Sequence, residues 1–270
     1  MSPRFALGLV LLLPIAIAIS STNWSRNEAR NVNAFANQVE AATPRPEFKK
    51  RRIVIFAAHP EDTQFGCGGL IAKLTKAGHE VIIASASSFR GVRKIDGQPE
   101  ADVRRREALE SGKVIGATPH FFEYDHLELV ADEPTIETVS TWLRQIKPDI
   151  VVTHWPLDTQ PNRHVTSSLV WQSYLRDKKW SLYFFEGLTD YQTVAFTPDL
   201  FLDITDVRDI KKDACFCFQS QKPDAIWVDQ DDVQRRRGEE SGVRYAEAYT
   251  LAEPLPGRAT LPVAFIKKKF

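Results

Sequence analysis

His59, Glu61 and Asp62 lie together in the run Ala57-Ala58-His59-Pro60-Glu61-Asp62, and their types and spacing suit them to chemistry. An imidazole and a carboxylate three positions apart across a turn can converge on one divalent metal ion. A second carboxylate between them is close enough to act on a water bound to that ion. The same residues would also serve as a polar turn in which Asp62 caps the helix that follows.

The flanking pattern says what positions them. Ile53-Val54-Ile55-Phe56 is an apolar, β-branched run with no polar face, which predicts a buried strand. Gly66, Gly68 and Gly69 read as the glycine-rich start of a helix or a turn just before it, and the apolar positions from Leu70 to Ala77 predict an amphipathic helix ending at Gly78. The three polar side chains then sit at the carboxyl end of a parallel strand, where open α/β sheets place their ligands.

Strand and helix patterns go on alternating. Glu80 to Ala86 reads as a strand, followed by a loop rich in Arg90, Gly91, Arg93, Lys94 and Gly97. A long helix is predicted from about Asp102 to Ile115, a short strand at His120 to Phe122, and a helix from Ile136 to Ile146 stopped before Pro148. Ile150 to Val152 is a strand pattern, Val165 to Leu175 a helical one, Leu200 to Ile204 a further strand, and Val207 to Gln219 a helix. The expected fold is α/β and Rossmann-like, a mostly parallel sheet with helices on both faces in a single domain. Right-handed crossovers would gather the strand-end loops, with His59, Glu61, Asp62, Arg90, His154, Asp158 and His164, on one rim.

Composition narrows the classes. Thirty-five basic and 35 acidic residues balance to a formal net charge of zero, so no global field steers the chain to nucleic acid. Phe5 to Ile19 is apolar, preceded by Arg4, followed by small polar residues, and interrupted by Pro14; Ala16-Ile17-Ala18 offers a cleavage site. Residues 1–20 therefore read as a signal peptide or an N-terminal anchor, and the chain is expected to be exported, whether periplasmic, extracellular or membrane-anchored. Residues 21–51 read as a polar linker running into the basic stretch Lys49-Lys50-Arg51-Arg52, a solvated approach to the first strand or a contact for anionic lipid. Three cysteines cannot all pair internally, and Cys67, Cys215 and Cys217 are read as small buried residues. Residues 251–270, with three prolines and a lysine-rich end, read as a poorly ordered tail.

His-Pro-Glu-Asp between an apolar strand and a glycine-rich segment resembles the His-Pro-Asp-Asp signature of the PIG-L/LmbE-like zinc-dependent de-N-acetylases. The helix Arg106-Glu107-Ala108-Leu109 running to Gly116, the strand Lys147 to His154, and the loop Asp158-Thr159-Gln160-Pro161-Asn162-Arg163-His164 are similar to further segments of that family. Gln234 to Gly238 through Tyr249 resembles its closing pattern, and residues 52–250 are expected to form the family's domain. The resemblance implies one zinc ion per chain on His59 and Asp62, with Glu61 as general base. Glu for Asp extends that base by one methylene, about 1 Å.

The second loop departs from the family. A register without gaps sets Gln160 on a histidine, Asn162 on an aspartate and Arg163 on the zinc-binding histidine. A guanidinium has no free lone pair and cannot ligate a metal. A shift of one residue brings His164 in as third ligand, with His154 in reserve. Gln160 would then be an oxyanion partner, and Arg90 and Asn162 would face substrate. The implied activity is removal of the acetyl group from an N-acetylated sugar, an N-acetylglucosamine-type glycan or glycolipid. The alternative is a catalytically impaired, carbohydrate-binding member. A nucleotide site on Gly66 to Gly69 is a third reading, against which stands the lack of a Gly-x-Gly-x-x-Gly or Walker lysine pattern. Glu247 is read as structural, a salt-bridge partner of one of the arginines at 235–237, with a wall residue of the pocket as the alternative.

Overall fold

The apolar run after Arg52 forms strand β1 (Arg52–Ala57), buried beyond its first residue, and the sheet is built outward from it. The structure is a computed structural model that describes residues 49–88, 93–187 and 192–267. The expected leader at 1–20, nearly all of the linker at 21–51, and Arg90 fall outside the described residues.

After β1 come α1 (Asp62–Lys76), β2 (Glu80–Ser88), a small hairpin of β3 (Lys94–Ile95) and β4 (Gln98–Pro99), α2 (Glu100–Ile115) and β5 (Thr118–Asp125). Then follow α3 (Glu133–Ile146), β6 (Ile150–His154), α4 (Pro161–Asp177), β7 (Ser181–Phe185) and β8 (Leu200–Asp203). The chain continues through α5 (Arg208–Phe216), α6 (Pro223–Ser241), β9 (Ala246–Leu251) and β10 (Phe265–Lys267). Eight strands make one sheet in the order β10-β8-β9-β7-β6-β1-β2-β5. β7, β6, β1, β2 and β5 are parallel, while β9, β8 and β10 complete the sheet with antiparallel pairings. This is the expected single, mostly parallel α/β domain.

β1 alternates between the two cores, because successive strand side chains point to opposite faces. Ile53 and Ile55 join α1, α2 and α5 side chains on one face; Val54 and Phe56 join α3 and α4 on the other. From β1 the chain steps through β2 to β5, then returns to β6 and β7 on the opposite side. The reversal between β1 and β6 marks the topological crevice at their carboxyl ends, where open α/β sheets take their ligands.

Two expectations are corrected here. Gly66, Gly68 and Gly69 are not a turn; they lie inside α1 and let it pack at backbone distance. A Cβ at Gly66 would stand 2.5 Å from the Phe185 ring, and one at Gly69 would stand 2.3 Å from Ile204. The tail read at 251–270 is not loose throughout either. Leu261 is buried, and β10 pairs antiparallel with β8.

Glu247, on β9, fixes α1 from below. Its carboxylate accepts the amides of Gly69 at 2.7 Å and Leu70 at 2.8 Å, the Lys211 ammonium at 2.8 Å and the Tyr249 hydroxyl at 2.7 Å. Glu247 is thus structural, paired with Lys211 and not with the arginines of α6. All three cysteines are free; Cys67 and Cys215 are buried, whereas Cys217 is only half-buried. Among the described residues no helix is long and apolar enough to cross a membrane.

Candidate functional site

His59, Glu61 and Asp62 leave β1 into the crevice and are all buried. Each offers one ligand-type atom, and these atoms lie within 4.8 Å of one another. Asp62 is the first residue of α1, but its side chain does not cap that helix. Oδ2 instead turns back to accept the His59 backbone amide at 3.0 Å and lies 3.2 Å from His59 Nδ1. Both oxygens of Glu61 face Arg104 of α2, at 3.1 and 3.3 Å, and Arg104 is itself held by Glu100 at 2.8 Å.

The second wall is the loop from β6 into α4. Pro161 suits the first turn of a helix, and Gln160 is the N-cap, its side-chain oxygen accepting the Arg163 amide at 3.0 Å. That cap sets the helical phase. Asn162, Arg163 and Thr166 face inward, and His164 faces solvent. The Gln160 and Asn162 side-chain nitrogens approach His59 Nε2 at 3.5 and 3.4 Å. With two amide donors at Nε2 and a carboxylate at Nδ1, the consistent tautomer carries its proton on Nδ1.

Arg163 is buried beside Asp62. The residue is 3% exposed, and its Nη2 and Nε donate to Asp62 Oδ1 at 2.8 and 3.2 Å. Nη1 donates to Gln192 Oε1 at 2.8 Å and stands 4.0 Å from Asp158. Burial alone would push the Asp62 carboxyl upward. The Arg163 charge, with the imidazoles of His59 and His154, outweighs it and holds Asp62 well below the usual carboxylate range. Asp158, whose Oδ1 accepts the Gln160 amide at 2.8 Å, is raised by burial against the opposing pull of Arg163.

The expectation that His164 is a third ligand is corrected. Its Nδ1 is 2.7 Å from the Pro156 carbonyl oxygen, it is exposed, and it is outside the cluster formed by His59, Glu61 and Asp62. The reserve residue, His154, is nearer. Its Nε2 lies 3.1 Å from the Ala58 amide and 3.3 Å from Asp62 Oδ2. Burial lowers the His154 pKa, so the ring is neutral near pH 7. The structure thus gathers His59, Glu61, Asp62, Gln160 and Asn162, omits His164, and leaves Arg90 among the residues not described. Arg104 and Gln192 belong to the site without having been anticipated. The Glu100–Arg104 spacing of four on one helix was the only local sign of Arg104.

Residues 54–174 match the model of the PIG-L family, described as GlcNAc-PI de-N-acetylase. The matched segment belongs to the PIG-L family. The chain is 25% identical over 245 residues to the diacetylchitobiose deacetylase of Thermococcus kodakarensis, covering 80% of this chain and 88% of that protein. It is also 25% identical over 232 residues to the 4-oxalmesaconate hydratase of Pseudomonas putida, covering 76% and 88%. The PIG-L fold is seen again in the crystal structure of the N,N'-diacetylchitobiose deacetylase of Pyrococcus horikoshii. That likeness has a TM-score of 0.65 at 23% identity and covers 86% of this chain and 94% of that one.

The zinc implied by the PIG-L resemblance can be tested against the donors present. A zinc site needs open lone pairs on three protein ligands. Here one Asp62 oxygen is taken by a guanidinium and the other by the His59 backbone amide, with two imidazoles beside it. His59 Nε2 faces two amides, and the position that the resemblance gives to the third ligand holds Arg163. A His/Glu/Asp cluster is present, but the arrangement around it does not fit zinc held in the family's manner.

Proposed function

We propose that this chain binds an N-acetylated sugar at the crevice above His59, as a PIG-L family member without the family's zinc-dependent hydrolysis. The observation that carries this reading is the ion pair between Arg163 and Asp62, which sets a fixed cation on a carboxylate of the cluster. What remains toward the crevice suits recognition of an acetamido group and its neighbouring hydroxyls. Gln160 and Asn162 offer amide donors and acceptors, and Glu61, fixed by Arg104, offers a carboxylate to sugar hydroxyls. The relative's action on diacetylchitobiose supports the choice of an N-acetylated glycan. With the apolar leader, the reading extends to an exported protein that meets an envelope or environmental glycan, with peripheral or anchored membrane contact through its N-terminus.

Isothermal titration with N-acetylglucosamine, diacetylchitobiose and longer oligomers tests the proposal, with glucosamine as control, alongside an acetate-release assay. Binding of the acetylated forms in preference to glucosamine, weakened about tenfold by Asn162→Leu and without acetate release, is the expected result. Sustained acetate release would make the chain a working deacetylase and overturn the proposal. So would failure of every acetylated sugar to bind.

A further inference from the structure

We infer that Arg163 stands in the place of the third metal ligand as a permanent cation, so that this chain closes its own metal site to divalent ions. Three observations carry this. The Arg163 guanidinium contacts Asp62 Oδ1 through two nitrogens, at 2.8 and 3.2 Å, so the carboxylate that would neutralise a metal is already neutralised. The pair is buried, so water does not loosen it. Arg163 is held from behind by Gln192, and its backbone position is fixed by the Gln160 cap, so it cannot swing aside without giving up those contacts.

The substitution is one of charge as well as of shape. A divalent ion seated on Asp62 and His59 would lie against the guanidinium, and a guanidinium cannot shed its proton to make room. An imidazole at the same backbone position would reverse the situation. It is neutral near pH 7 and brings a lone pair to the same inward face of α4. The inference concerns metal alone and holds whether or not a sugar binds.

The experiment is zinc uptake by the whole protein and by Arg163→His and Arg163→Lys. Each is incubated with excess zinc chloride, desalted, and its metal content determined by elemental analysis. Thermal unfolding is followed with and without zinc. The wild type and R163K should retain less than about 0.1 zinc per chain, with unchanged unfolding temperatures, because the adjacent Asp62 carboxylate holds either side chain in its charged form. R163H should retain about one zinc per chain and unfold about 5–10 °C higher at a zinc concentration some hundredfold above Kd. The inference is overturned if the wild type retains about one zinc per chain. It is equally overturned if R163H, shown folded by circular dichroism, gains none. Should R163H fail to fold, the wild-type measurement decides alone. Sugar binding, read by calorimetry, fails or succeeds separately from this result.

Discussion

Asp62 and Arg163 form a buried pair whose loss can be measured one charge at a time. Asp62 is fully buried and Arg163 is 3% exposed, and the short contacts between them are those of a charge-assisted pair. Arg163→Met would leave the Asp62 carboxylate with backbone and imidazole contacts but no cation. Removing one partner of a buried pair costs about 3–5 kcal/mol, most of it from the charge left behind. With a urea slope of about 3 kcal/mol per molar, the unfolding midpoint should fall by about 1–1.7 M. Asp62→Asn, which strands the guanidinium, should cost a similar amount. The double variant should cost about 2 kcal/mol or more less than the sum, because neither charge is then left alone. Urea unfolding followed by circular dichroism gives all four corners of this cycle. Acid adds a signed test. The folded Asp62 carboxyl lies below its unfolded value, so its contribution is complete above about pH 4 and is lost as pH falls toward the folded value. The wild type should therefore lose stability in that range more steeply than Asp62→Asn. Additive single effects, or a single cost under about 1 kcal/mol, would refute the account of the pair.

Glu247→Gln should destabilise by about 3–5 kcal/mol in the same unfolding assay, since it strands the buried Lys211 ammonium, whereas an exposed-arginine change such as Arg106→Gln should cost under about 0.5 kcal/mol. Gly69→Ala forces a Cβ to within 2.3 Å of Ile204 and should lower stability by about 1–3 kcal/mol, read as a drop in unfolding temperature. Burial raises the thiol pKa of all three cysteines, but Cys217 is half-buried where Cys67 and Cys215 are buried, so at pH 8 a thiol reagent should label Cys217 first. The other two should react only on unfolding.

The parts of the fold legible in the sequence were those with an apolar period of their own. β1, β2 and β6 announce themselves as continuous β-branched runs because both sheet faces are covered there. α6 does not. Its inward face is Trp227, Gln230, Val233, Gln234 and Arg237, so polar residues stand where an apolar stripe would mark a helix. β10 was hidden among prolines, since a three-residue edge strand needs only a partner to form. At the site, the types and spacing of His59, Glu61 and Asp62 marked either a metal cluster or a polar turn, and the structure brings the three together. The choice between Arg163 and His164 was not legible, because it depends on helical phase. The loop read as free to slip by one residue is anchored by the Gln160 cap, and the cap turns arginine inward and histidine out. Arg104 reaches Glu61 across 43 residues of chain, a contact that no local pattern reveals.

The grip of Glu247 on the Gly69 and Leu70 amides has a consequence for how the site can change over evolutionary time. The height of α1 above the sheet is set there, two turns along the helix from Asp62, by a carboxylate that has no part in the crevice. Position 62 is therefore registered against β9 rather than against whatever stands opposite it. A histidine or an arginine at position 163 meets the same aspartate in the same place. Under the proposal that Arg163 takes the place of a metal ligand, exchanging the one side chain for the other asks for no compensating movement of the scaffold.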